Sequence, residues 1–156
     1  MLLAFVSGCG GPAPTDAGPC ELDASAPRWL VLGTGDVFMP VADGDSIEVI
    51  HGPQGGFHLE VTARFGLEVS PDMHVLRYDV TRTDGTTLGT TQIALNERRL
   101  ARTCGGWQRD GDIVMLTITA PTDVADTEVD VLVQLLGADG ALARDERRVH
   151  VVDDVP

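Results

Sequence analysis

The chain of 156 residues has no lysine; its 11 basic residues are all arginine. That absence excludes a catalytic lysine and a lysine Schiff base. Aromatic residues make up only 4% of the chain, so a core must come mainly from Val, Leu and Ile. Serine occurs only at Ser7, Ser25, Ser46 and Ser70, never in a G-x-S-x-G context, which removes the usual elbow for a serine nucleophile. No carboxylate pair or Cys–His arrangement stands in a context that nominates it for catalysis. The Gly33–Asp36 stretch GTGD is too short for a phosphate loop, and no helix is expected after it. Nothing approaches the roughly 20 consecutive apolar residues of a spanning helix. Positive charge is scarce: the net charge of −13 repels phosphates, so no nucleic-acid partner is expected. The expectation is a protein that is not an enzyme and needs no cofactor.

What is present is alternation with a period of two. FHLEVTARF puts Phe57, Leu59, Val61, Ala63 and Phe65 on one face and His58, Glu60, Thr62 and Arg64 on the other. HVLRYDVTR repeats the pattern with Leu76, Tyr78 and Val80. DIVMLTIT turns Val114, Leu116 and Ile118 inward and leaves Ile113 and Met115 for a second face, as in a central strand. Val129, Val131, Val133 and Leu135 continue the inward series, as do Val149 and Val151. Turn residues separate these runs, among them Asp43-Gly44-Asp45, Asp84-Gly85, Asp110-Gly111-Asp112, Pro121-Thr122-Asp123 and Asp139-Gly140. The reading is about seven core strands, at 45–51, 57–66, 74–82, 87–95, 112–119, 128–136 and 143–152. Short extra strands are expected near Trp29–Leu32 and Val37–Val41, and a turn of helix near Thr122–Thr127. Strands with one apolar face bury it on a second sheet, so the fold class expected is all-β, an antiparallel β-sandwich. Seven such strands resemble an immunoglobulin-like or fibronectin-like sandwich over residues 45–153. A closed barrel or jelly roll satisfies the same pattern.

Between two of these runs lies Gly52-Pro53-Gln54-Gly55-Gly56, with His51 before it and His58 after it. Pro53 suits the second position of a type I turn, and Gly55 the left-handed position after it. The strand phase puts the two imidazoles on opposite faces, which argues against a shared metal; His74 is the remaining histidine considered for that role. As ligand-binding candidates the loop offers His51, Gln54, His58 and the exposed amides of Gly55 and Gly56. Asp43 with Asp45, and Asp110 with Asp112, offer oxygen ligands to calcium but lack the spacing of an EF-hand loop. The stretch Leu32–Phe65, with LGTGDVFMPVADGD at its start and HGPQGGFH after it, resembles a motif of bacterial secreted lipoproteins that carries no assigned activity.

The start of the chain points the same way. Met1–Val6 is apolar, and Val6-Ser7-Gly8-Cys9 resembles the lipobox of a bacterial lipoprotein signal peptide. It departs from that pattern in lacking Arg or Lys before the apolar run. The resemblance implies cleavage after residue 8 and a lipidated Cys9, with Gly10 in place of Asp directing the protein to the outer membrane or cell surface. Residues 10–27, rich in Gly, Pro and Ala, read as a flexible linker, and 28–156 as the folded domain. With Cys9 lipidated, Cys20 and Cys104 remain for one disulfide in an oxidising compartment, the alternative being two free thiols. Such a bridge closes about 80 residues and contributes roughly 4 kcal/mol in the chain-entropy picture. The functional expectation is a lipid-anchored envelope β-sandwich that binds or interacts without catalysis. Its partners would be the membrane, through the anchor, and an envelope protein or glycan. The alternatives are a structural accessory subunit and a metal-binding periplasmic protein.

Overall fold

The computed structural model describes residues 28–35, 38–67, 70–103 and 105–153. The expected signal peptide and linker, with Cys9, Cys20 and Cys104, lie outside the described residues. Ten strands follow one another: β1 Trp29–Thr34, β2 Met39–Pro40, β3 Ser46–His51, β4 Phe57–Gly66, β5 Val75–Arg82, β6 Thr87–Ala94, β7 Ala101–Thr103, β8 Gly106–Leu116, β9 Glu128–Gly137 and β10 Gly140–Val152. Three single-turn 3-10 segments join them, at Pro71–Met73, Glu97–Arg99 and Pro121–Asp123. The helical turn expected at Thr122–Thr127 is therefore shorter and begins at the proline.

The strands form one connected sheet in the order β2-β1-β4-β3-β10-β9-β5-β6, with β8 paired to β4 and β7 to β8. Two separate antiparallel sheets were expected, and β3 is what differs. Its first half, at Ile47 and Glu48, runs parallel to Val151 and Val152 of β10. Its second half, Val49–His51, pairs antiparallel with Phe57–Leu59 of β4. One strand thus belongs to both halves of the molecule. Alternation of side chains fixes which face is buried, not the direction of the neighbour, so this parallel pair left no mark in the pattern.

The connected sheet curls until β6 returns alongside β8. There the Thr117 N–H donates to the Leu88 carbonyl at 2.6 Å, and the Thr91 hydroxyl to the Ile113 carbonyl at 3.0 Å. A side chain at Gly89 would run into the Met115 backbone, so glycine is what lets the strands approach there. On the opposite side, β10 turns Asp145 and Arg147 inward beyond Val149 and Val151. The Asp145 carboxylate accepts the Leu32 N–H of β1 at 2.9 Å and holds Arg147 at 2.7 Å. A side chain there satisfies a backbone donor that faces no strand ladder.

The space enclosed is filled as the alternation requires. Leu59, Val61, Ala63, Phe65, Leu76, Tyr78, Val80, Val129, Val131, Val133, Leu135, Val149 and Val151 are fully buried. Each large aliphatic among them contributes about 1.5–3 kcal/mol by leaving water. Ile113 and Met115 are 46% and 53% exposed, so β8 buries one face only, and the second apolar face expected for it is open.

β8 itself begins at Gly106, six residues before the expected start, and the short β7 pairs with that beginning. The Asp110-Gly111-Asp112 segment is no turn. Val61 pairs with Asp112 and Ala63 with Arg109, so two residues of β8 face one of β4 in a β-bulge, with Gly111 at φ 67°. Asp-Gly suits a tight turn and a bulge for the same reason, since both need a left-handed residue.

Candidate functional site

The Gly52–Gly56 loop is built as its sequence suggests. The Gly55 N–H donates to the Gly52 carbonyl at 3.0 Å, the Gly52 N–H to the Gly56 carbonyl at 2.7 Å, and Gly55 has φ 81°. The Gly55 amide is therefore engaged inside the turn and is not the bare donor expected of it. Gln54 is exposed at the tip. His51 shares the phase of Ile47 and Val49 but lies at the strand end, where its Nε2 is 2.9 Å from an Asp153 oxygen and its ring meets Phe57 edge-on at 5.1 Å. His58 faces the other way, between Ile50 and Met115 in register. The loop does not gather its two imidazoles. Among the described residues no three of His, Cys, Asp or Glu converge on a point able to hold a metal.

The two acidic pairs considered for calcium are also dispersed. Asp45 accepts the Ala42 N–H at 2.8 Å, and Asp43 accepts the Arg148 N–H at 2.9 Å. These carboxylates close a turn and tie it to β10. Asp110 and Asp112 lie on opposite faces of β8, separated by the bulge.

Asp112 points inward and is 1% exposed. The Tyr78 hydroxyl donates to one of its oxygens at 2.9 Å, and Arg109 Nε to the other at 2.7 Å. The bulge is what places Arg109 and Asp112, three residues apart, on the same inner face. Burial pushes the Asp112 carboxyl above its ordinary range, against the pull of Arg109 and Tyr78. Burial likewise lifts the Tyr78 phenol well above its usual value, helped by the carboxylate beside it. Asp112 and Tyr78 are enclosed, only Arg109 reaches solvent in part, and the group serves the fold.

The outer face, one residue earlier on β8, is different. Gln108 pairs in register with Arg64 of β4, which in turn faces Val31 of β1. Arg64 Nε donates to Gln108 Oε1 at 2.6 Å, and the Gln108 amide donates to both Asp110 oxygens at 2.8 and 2.9 Å. The guanidinium carbon lies 4.2 Å from the centre of the Phe38 ring, a cation–π distance. Trp29 lies over Gly66, where any side chain would collide with the indole. Trp29, Val31, Phe38, Arg64 and Thr103 line an open cavity of about 400 Å³.

Arg77, Arg102, Arg109, Arg144, Arg147 and Arg148 each sit beside a carboxylate. Arg28, Arg64, Arg82, Arg98 and Arg99 make no such pair among the described residues; Arg64 differs from the other four in lying on an aromatic ring, that of Phe38, in the lining of a cavity. The Thr103 hydroxyl at the same cavity is buried with no partner among the described residues. Sequence reasoning placed Arg64 on the outward face of its strand but gave it no role. The available signal was Trp29, one of only two tryptophans, opening a strand outside the core series.

No family model and no curated protein matches the chain. Among solved structures, murine CRIg is similar with a TM-score of 0.33 at 10% identity, covering 81% of this chain and 98% of that one. The N-terminal domain of PorA is similar with a TM-score of 0.34 at 7% identity, covering 78% and 96%. Likenesses at this level carry no argument, and the fold is stated from its own topology.

Proposed function

We propose that the chain is a non-catalytic binding or interaction module, exported and held at the bacterial outer membrane or cell surface by lipid on Cys9. Residues 10–27 give it reach from the bilayer. The finer architecture in this reading is an immunoglobulin-like sandwich. Its support is strand order: β1 and β3, then β4, β8 and β7, follow the A-B-E-D sheet, while β10, β9, β5 and β6 follow G-F-C-C′.

The observation that carries the binding role is Arg64. Its guanidinium is oriented by Gln108 and Phe38 at the mouth of an aromatic-walled cavity, and no carboxylate among the described residues neutralises it. A charge so held is of little use to folding and suits a partner. A structural accessory role is the second reading, favoured by Ile113 and Met115, two half-exposed apolar side chains on successive outward positions of β8. The metal-binding alternative has no converging ligands in its favour among the described residues.

Two experiments test this reading. Cys9→Ala in the full-length chain releases the protein to the soluble fraction, while continued membrane association contradicts the anchor. Crosslinking in the native envelope captures one recurrent partner or glycan; a protein that crosslinks to nothing specific contradicts the module.

A further inference from the structure

We propose that the Trp29–Phe38–Arg64 cleft binds a small organic carboxylate carried on a flat or apolar body. The inference rests on the reading of the chain as a binding module and names the ligand class of one site on it. Arg64 has its Nε engaged by Gln108 and one guanidinium face covered by Phe38. The terminal nitrogens at the other end of the planar group form the fork that matches a carboxylate in two parallel hydrogen bonds. Gln108 is itself fixed by Asp110, so the fork is oriented before any ligand arrives. Preorganisation of this kind removes part of the cost of binding.

The walls select the rest of the ligand. Trp29 and Val31 offer apolar surface beside the charge, and Trp29 suits a flat ring stacked or edge-on. Thr103 lines the same cavity, its hydroxyl itself buried without a partner among the described residues. The volume of about 400 Å³ lies within the range of small-molecule sites, roughly 300–1,000 Å³. The net charge of −13 opposes long-range attraction of anions, so recognition works at contact. That favours a ligand with one charge and substantial apolar surface, and disfavours polyanions.

The test uses the full chain and two probes of nearly equal shape, 1-naphthoate and its neutral amide 1-naphthamide. The Trp29 indole N–H resonance is followed by NMR, with Trp107, buried on the inner face, as internal reference. Naphthoate shifts Trp29 saturably and binds at least about tenfold more tightly than the amide, as expected for a charge-assisted pair. Arg64→Gln erases the preference for the acid, and Arg64→Lys, which keeps the charge without the fork, retains only part of it. No saturable shift, equal binding of acid and amide, or a preference that survives Arg64→Gln overturns the proposal. The comparison of the two probes on the unaltered chain stands whether or not a variant folds. Envelope crosslinking of wild type and Arg64→Gln separates the two readings: a specific partner captured equally by both, together with no naphthoate binding, sinks the cleft and leaves the module.

Discussion

Gln108 and Arg109 are neighbours in the chain, yet each belongs to a different kind of site. On the inner face of β8, Arg109 meets Asp112, which also takes the Tyr78 hydroxyl, and little of the cluster reaches solvent. On the outer face, Gln108 meets Arg64, and Asp110 braces Gln108, but Arg64 also lines an open cavity. Both sites use an arginine, a carboxylate and a third polar group, and each takes its carboxylate from the bulged stretch of β8. They differ in completeness. The inner site pairs its charge within the chain, as buried charges must. The outer site leaves its cation without an acid among the described residues. The proposed binding role rests on that difference between a charge completed within the chain and one left open.

The strongest way to break this contrast is at Asp112. Asp112→Ala leaves Arg109 uncompensated and the Tyr78 hydroxyl unpaired in the core, at a cost of about 3–5 kcal/mol. Urea unfolding measures it, and a loss below about 1 kcal/mol would mean the inner network is dispensable. Next comes the bulge. Gly111→Ala places a Cβ where φ is 67°, at a cost of about 1–2 kcal/mol. The nearest atom to that Cβ is the Glu60 carboxylate at 3.6 Å, so strain and not collision is the cause. The same substitution is expected to weaken naphthoate binding, because the bulge contains Asp110, which braces Gln108; an effect on stability alone would uncouple the two sites.

Acid titration sharpens the contrast further, through two carboxylates of opposite sign. The Asp112 carboxyl is raised above 3.8, so its ionisation costs stability, and stability rises as pH falls through the window just above 3.8. Asp123 accepts the Ala120 N–H, the Thr119 N–H and the Thr119 hydroxyl, and these hydrogen bonds hold it below 3.8. Its contribution is present above 3.8 and is lost as pH falls through the lowered value. Stability against pH in Asp112→Asn should lose the rise above 3.8, and in Asp123→Asn the fall below it. A profile unchanged by Asp112→Asn would contradict the burial argument.

Much of the core was legible because it needs only alternation. Leu59, Val61, Ala63 and Phe65 on β4, and Val129, Val131, Val133 and Leu135 on β9, are buried as their spacing implies. The GPQGG loop was legible because Pro and Gly fix its turn locally. The parallel pairing of β3 with β10 was not, since a period of two carries no direction. The bulge was mistaken for a turn because Asp-Gly serves both. The cleft was the least legible part. Trp29, Phe38, Arg64, Thr103 and Gln108 come from β1, β4, β7, β8 and the segment before β2, and only the side-by-side pairing of β1, β4, β8 and β7, distant in the chain, brings them together.

The smallest expected effect is also the most direct test, because the account holds that Arg64 is kept for a partner and not for the fold. The measurement is the urea unfolding free energy of Arg64→Ala against wild type, without ligand. Loss of the Phe38 contact and the Gln108 bond predicts a change of at most about 1 kcal/mol. A loss of about 3 kcal/mol or more, comparable to that of Asp112→Ala, would place Arg64 among the groups that hold the protein together and contradict the account.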